Sequence, residues 1–159
     1  MREQLRAEAE RLYLAEDLCS AHTHGRWLRK NREIQEFLNA VTTSRWFRRM
    51  FPDFKSITVG NARGRDYGEG RLDGDGHSHI FLPTDLRREL FALHELVHAL
   101  GHCSHDWAFC STYLRVVRRV LGPDAWYELR HNFVECGVKH RRRPLPDPWQ
   151  FDAAGAGSF

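Results

Sequence analysis

Two histidines and one glutamate form the pattern His-Glu-x-x-His in the segment LHELVHALG, residues 93–101. Residues four apart in a helix share a face, so the imidazoles of His94 and His98 are able to bind one metal ion together. Glu95 projects to the side of that face, where a carboxylate takes a proton from water instead of binding the metal. The pattern therefore predicts a zinc site with His94 and His98 as ligands and Glu95 as general base.

The third ligand must come from elsewhere, because a catalytic zinc ion usually takes three protein ligands and keeps one position for water. We expect it to be His105, which lies where a short loop after the motif meets the next helix. His102 is the alternative, although Gly101 is expected to end the motif helix before it. Two acidic residues further along would suit a different ligand set but are expected to face solvent, Glu128 and Glu135.

Other side chains are candidates for stabilising the negative charge that develops on a substrate carbonyl. His77 and His79 share one face of a predicted strand, although the alternation of a strand alone explains that placement. Three tyrosines are further candidates that the sequence does not rank, Tyr67, Tyr113 and Tyr127. Cys103 lies close to the motif; a free thiol is the main interpretation, and a further metal ligand is the alternative.

These residues must be positioned by a folded core, and the spacing of apolar residues predicts its elements. We expect a helix over residues 3–19, a second helix around residues 34–41, and a short third helix capped by Ser44. Alternating residues then predict strands at 55–60 and 77–82, with glycines between them that imply tight turns. The expected sheet is a small antiparallel meander of about three strands.

The motif helix is expected to begin after Thr84 as its N-cap and to pack an apolar stripe against the core, with Glu95 turned further towards solvent. Gly101 suits the chain reversal at its end. Two more helices are predicted at 106–121 and 124–136, with Gly122-Pro123 between them. The elements together predict an α+β fold with N-terminal helices, an antiparallel meander, the motif helix and two C-terminal helices.

Composition limits the classes of protein that the chain can be. Its 159 residues are 42% hydrophobic and 12% aromatic, which predicts one folded domain over residues 1–140. The tail over residues 141–159 is basic and then rich in Pro, Gly and Ala, which predicts disorder. The four cysteines form no CxxC pair, so no disulfide scaffold is expected.

Charge and hydropathy indicate the surroundings. No run of eighteen apolar residues occurs and the start of the chain is charged, so we expect no membrane span and no signal peptide, and a cytoplasmic location. The net charge is +3, with a basic run at residues 139–143. A solvated helix end is the favoured interpretation of that run, and a nucleic-acid partner is the weakly supported one.

The motif followed by a short loop and HDWAF, residues 105–109, resembles the SprT-like and WLM-type compact zincin domains. A closer resemblance is to a family of HExxH metallohydrolases of actinobacteria and their phages. The matching segments are LYLAE at 12–16, IFLP at 80–83, LHELVHAL at 93–100, HDWAF, LGP at 121–123 and residues 133–138. Family members often have His-Gly-Pro-x-Phe in place of HDWAF, a change that keeps the ligand and its phenylalanine. The resemblance implies a compact zincin-like domain with hydrolase activity.

We therefore expect a zinc metallopeptidase of the HExxH type that acts on a peptide or protein substrate with Zn²⁺ as cofactor. Two alternatives remain open. In one, the zinc is structural and the protein is an interaction or nucleic-acid-associated module. In the other, the enzyme is a metal-dependent amidase that acts on a non-peptide substrate.

Overall fold

A computed structural model describes residues 2–62 and 64–140, and the predicted disordered tail at 141–159 lies outside the described residues. The described residues form an α+β fold of seven α-helices and a three-stranded sheet. The helices are α1 (Arg2–Asp17), α2 (Ala21–His24), α3 (Asn31–Thr43), α4 (Arg45–Met50), α5 (Glu89–Ala99), α6 (Trp107–Val120) and α7 (Pro123–Glu135). The strands are β1 (Ile57–Gly60), β2 (Glu69–Leu72) and β3 (Ser78–Phe81).

The sheet is mixed, and its order is β1-β3-β2. β1 runs parallel to β3, with Ile57 opposite Ser78, whereas β2 runs antiparallel to β3. The prediction of an antiparallel meander is therefore wrong for β1. The turn signals correctly indicate the hairpin between β2 and β3, but β1 and β2, which are consecutive in the chain, lie at opposite edges of the sheet. Glycines mark both connections, and they do not distinguish a hairpin from a crossing loop.

Local capping explains several helix boundaries. The side chain of Ser44 accepts a hydrogen bond from the amide of Phe47, as an N-cap of α4 does. Asp106 caps α6 in the same way by accepting from the amides of Ala108 and Phe109, each at 2.9 Å. Gly101 has a φ of 100°, which suits the chain reversal after α5. These boundaries agree with the predicted helices to within about two residues.

Thr84, in contrast, does not cap the motif helix. Thr84–Leu86 form a separate 3-10 turn, and α5 begins at Glu89. The segment after α2 holds this end of α5, because the amide of Leu28 donates to the Arg87 carbonyl at 2.7 Å. Arg26 also donates through Nε to the Glu89 carboxylate at 2.6 Å. The cap prediction was wrong because these long-range contacts, which no local pattern reveals, set the start of the helix.

The motif helix α5 lies at the centre of the core and is buried on nearly all sides. It packs against α3, α6, β2 and β3. Its apolar residues are inaccessible to solvent, among them Leu90, Leu93, Leu96 and Val97. Because α5 is enclosed, the polar residues of the motif are held in a largely dry environment. No helix among the described residues is long and apolar enough to cross a bilayer.

Candidate metal centre

Three imidazoles meet at the C-terminal half of α5. The Nε2 atoms of His94 and His98 are 3.1 Å apart, and each lies 3.0–3.1 Å from the Nε2 atom of His105. His94 and His98 come from successive turns of the helix, and His105 comes from the loop before α6. The three residues predicted as metal ligands are thus brought together, and within the described residues they form the one group with the spacing of a metal site.

The hydrogen bonds of the rings fix the direction of their lone pairs. The Nδ1 of His98 donates to the carbonyl of His102 at 2.6 Å, and the Nδ1 of His94 is 2.8 Å from Oε1 of Glu16. The rings of His94 and His98 therefore donate through Nδ1, and their Nε2 atoms present lone pairs to the centre of the triangle. Nitrogen atoms with facing lone pairs repel each other unless a cation lies between them.

Protonation of the histidines does not remove this repulsion. Burial and the neighbouring charge of His94 lower the pKa of His98 to about 4 and that of His105 to about 3. Burial also disfavours a charged His94, but the Glu16 carboxylate outweighs it and raises the pKa of that ring. A proton on Nε2 of His94 would bond to one of the two other nitrogens, whereas a central cation satisfies all three.

The triangle has the size that zinc requires. Tetrahedral Zn–N bonds of 2.0–2.1 Å place ligand nitrogens about 3.3 Å apart, close to the 3.0–3.1 Å separations seen here. Phe109 packs against all three rings, with centroid distances of 4.5–5.0 Å. It has no exposed surface, so it anchors the start of α6 in the core. The donor set and its spacing therefore fit a zinc ion.

Glu95 lies beside this triangle, and the prediction that it turns towards solvent is wrong. Its exposed fraction is 8%, because β2 crosses directly over it. A Cβ atom built on Gly68 would lie 2.3 Å from Oε1 of Glu95, and one built on Gly70 would lie 1.8 Å from its backbone carbonyl oxygen. Only glycine allows a strand to approach a helix so closely. Helix periodicity alone could not reveal this cover.

One oxygen of the Glu95 carboxylate is left for chemistry. Its Oε2 is buried without a hydrogen-bond partner among the described residues, while the Gly70 amide bonds to the carboxylate. Burial, assisted by the charge of Glu16, raises the pKa of Glu95 to about 7. A carboxylate with such a pKa and a free oxygen is suited to exchange a proton with a water molecule near neutral pH.

A second layer of contacts orients His94, and sequence reasoning missed its central residue. Glu16 of α1 is 1% exposed and accepts hydrogen bonds from His94 and from the Tyr113 hydroxyl, the latter at 2.6 Å. A carboxylate that fixes the tautomer and orientation of a ligand histidine is a common partner of metal sites. The available signal was position: Glu16 lies on the buried face of α1 together with Leu12 and Ala15.

An open cleft of about 350 Å³ leads to the centre. His94 and Glu95 border it, and α1 contributes Tyr13 beside them. The Tyr13 ring stacks on His94 at 5.8 Å and meets His105 edge-on at 5.3 Å. Burial and the charges of Glu95 and Glu16 raise the pKa of Tyr13 to about 12, so its hydroxyl remains a hydrogen-bond donor. Sequence reasoning did not select Tyr13.

The alternative metal ligands lie elsewhere. His102 contributes its carbonyl to His98, and its ring is outside the triangle. Glu128 accepts hydrogen bonds from the backbone and hydroxyl of Ser20, each at 2.8 Å, and so ties α7 to the start of α2. Two further candidates are exposed to solvent and do not join the triangle, Cys103 and Glu135.

The other predicted donors to a substrate carbonyl fall into two groups. His77 and His79 are engaged at the hairpin, where Nδ1 of His77 meets Oγ of Ser56 at 2.7 Å and Nε2 of His79 meets Asp73 at 3.0 Å. Of the tyrosines, Tyr67 borders the cleft. The other two tyrosines do not border the cleft. Tyr113 is buried against Glu16, and Tyr127 is exposed on α7.

Comparison of the chain with protein-family models, with curated proteins and with solved structures finds no match.

Proposed function

We propose that the protein is a zinc-dependent metallopeptidase in which Glu95 is the general base. The observation that carries the proposal is the convergence of three Nε2 atoms beside a buried carboxylate with an oxygen that has no partner among the described residues. His94, His98 and His105 would hold the ion. Zinc held by three neutral imidazoles supplies a Lewis acid that lowers the pKa of a water molecule towards about 7.

The residues around the ion have distinct roles in this mechanism. Glu95 accepts the proton of the attacking water through its free Oε2 and passes it to the leaving amine. Tyr13 donates a hydrogen bond to the carbonyl oxygen as negative charge develops there. Glu16 holds the His94 ring in the orientation that keeps Nε2 directed at the ion.

The sheet supports a peptide as the substrate. β3 is the central strand and pairs on both sides, so it has no free edge for an extended peptide. β2 is an edge strand and crosses Glu95, so its outer edge is available to an extended chain passing the catalytic carboxylate. This placement favours a peptide over a compact small-molecule amide, which remains the second candidate substrate class.

A structural zinc site would be closed by a fourth protein ligand. Among the described residues the group contains three histidines, and the nearby Cys103 is exposed and outside it. A structural site also has no use for a general base. Both points favour catalysis over a purely structural role in an interaction or nucleic-acid-associated module.

The proposal is tested by metal analysis coupled to cleavage profiling of a peptide library, with wild type and Glu95→Gln side by side. We expect one zinc ion per chain in both proteins and peptide cleavage by wild type alone. Retained cleavage in a metal-loaded Glu95→Gln protein would contradict the general-base role. Cleavage of no peptide by the zinc-loaded wild type would contradict peptidase activity.

A further inference from the structure

We propose that the cleft selects cationic substrates, and that Asp17 and Asp66 recognise an ammonium or guanidinium group next to the scissile bond. This inference rests on the proposed peptidase function and names its substrate class. It starts from the charges that border the cleft, which differ in sign from the net charge of +3 of the whole chain.

Four carboxylates border the cleft, Glu16, Asp17, Asp66 and Glu95. No lysine or arginine of the described residues is among its lining side chains. A bound zinc ion would offset the two carboxylates closest to it, those of Glu16 and Glu95. The charges of Asp17 and Asp66 would then remain uncompensated at the cleft.

No contact within the described residues gives the carboxylates of Asp17 and Asp66 a structural role. Within residues 2–62 and 64–140 neither forms an ion pair or a side-chain hydrogen bond, and both are exposed. Many other acidic side chains of the protein do have partners, such as Glu10 with Arg6 and Glu36 with Arg32. Two unpaired carboxylates on separate elements, the end of α1 and the loop before β2, therefore border one cavity.

A second observation points to a ligand in the same cavity. Oε2 of Glu95 is buried and has no partner among the described residues, and Glu95 borders the cleft, so an acceptor lies there for a donor of a bound substrate. Tyr13 and Tyr67 also border it, and their aromatic faces attract cations. Carboxylates, a free acceptor and aromatic rings together match the long, amphipathic side chains of lysine and arginine.

The test is a binding measurement on zinc-loaded Glu95→Gln protein, in which the peptide is not consumed. The probes are N-acetylated fluorescent octapeptides that are identical except for Lys, Arg, Leu or Glu at the centre. A fifth probe has a central Leu and a free N-terminus, which separates an α-ammonium group from a side-chain cation. We expect Lys, Arg or the free terminus to bind more tightly than the acetylated Leu and Glu peptides.

The aspartates are then replaced in the same background. Asp17→Asn and Asp66→Asn should each weaken binding of the preferred peptide about two- to fivefold, the effect of losing one exposed charge partner. Asp75→Asn is the matched control, because it removes the same charge at the hairpin turn beyond the other end of β2. The difference in affinity between cationic and neutral probes should also be smaller in 1 M NaCl, because the Debye length is then about 3 Å and exposed charges are screened.

Equal affinity for all probes, tighter binding of the Glu peptide, or an equal effect of Asp75→Asn would overturn the proposal. The binding readout does not depend on turnover. A protein that cleaves no peptide but prefers cationic probes would contradict the peptidase function and leave the charge selection supported. A protein that cleaves peptides but binds all probes equally would support the peptidase function and contradict the charge selection.

Discussion

The Nδ1 atom of His94 lies 2.8 Å from Oε1 of Glu16, a residue 78 positions earlier in the chain. Both side chains are almost fully buried, with 4% and 1% of their surfaces exposed. The N-terminal helix is therefore part of the candidate metal centre, since it supplies the carboxylate that orients one ligand and the tyrosine that borders the cleft.

Replacing Glu16 by Gln should weaken zinc binding about 10- to 100-fold, because the neutral amide is a poorer acceptor for the Nδ1–H of His94. Competition with a metal-binding dye measures this affinity. Glu10→Gln is the control, since Glu10 lies on the same helix but is exposed and paired with Arg6. Unchanged zinc affinity in Glu16→Gln would show that the carboxylate does not support the ligand.

Replacing His105 by Ala should lower zinc occupancy well below one ion per chain, because two nitrogens would remain of the three that form the triangle. His102→Ala should retain full occupancy, since it is the backbone carbonyl of this residue that contacts His98. Elemental analysis of both purified variants checks the pair. The reverse outcome would identify His102 as the third ligand.

Replacing Gly70 by Ala should destabilise the fold by about 2 kcal/mol or more, because its Cβ would lie 1.8 Å from the carbonyl oxygen of Glu95 and force β2 away from α5. Gly74→Ala is the control, since its Cβ would meet nothing within 4 Å. Urea unfolding of the two variants measures the difference. Equal stability would show that the strand and the helix are not in contact here.

Replacing Tyr13 by Phe should lower kcat about 100-fold and leave KM nearly unchanged, because a donor to the developing oxyanion acts mainly in the transition state. The ring and its contact with His94 are kept, so zinc affinity should not change. Tyr67→Phe is the comparison, because Tyr67 is the other tyrosine that borders this cleft. Steady-state kinetics on one cleaved peptide measures kcat for both variants. A larger loss of kcat in Tyr67→Phe would assign the role of donor to the oxyanion to Tyr67.

Local patterns in the sequence were sufficient for much of this protein. Apolar periodicity located the long helices, and capping chemistry placed Ser44 at the start of α4. Ligand spacing selected His94, His98 and His105, the group found together in the fold. Each of these predictions depends on residues within a few positions of one another.

The predictions that were wrong concern contacts between distant segments. The parallel pairing of β1 with β3, the cover of β2 over Glu95 and the start of α5 at Glu89 are all set by packing across the chain. The position of Glu16 on an apolar helix face is visible in the sequence, but its pairing with His94 is not. Tyr13 is on α1 as well, and it reaches the site because α1, packed against α7, places its ring against His94 and His105.

The tie between Glu128 of α7 and Ser20 has a consequence for the order in which the protein matures. The last described helix secures the turn that follows α1, so the segment bearing Glu16 is held by a helix that comes after the HExxH motif in the chain. A nascent chain would carry the HExxH helix well before its supports were in place. The proposed hydrolytic activity would then require that α7 has been synthesised and has packed against this turn.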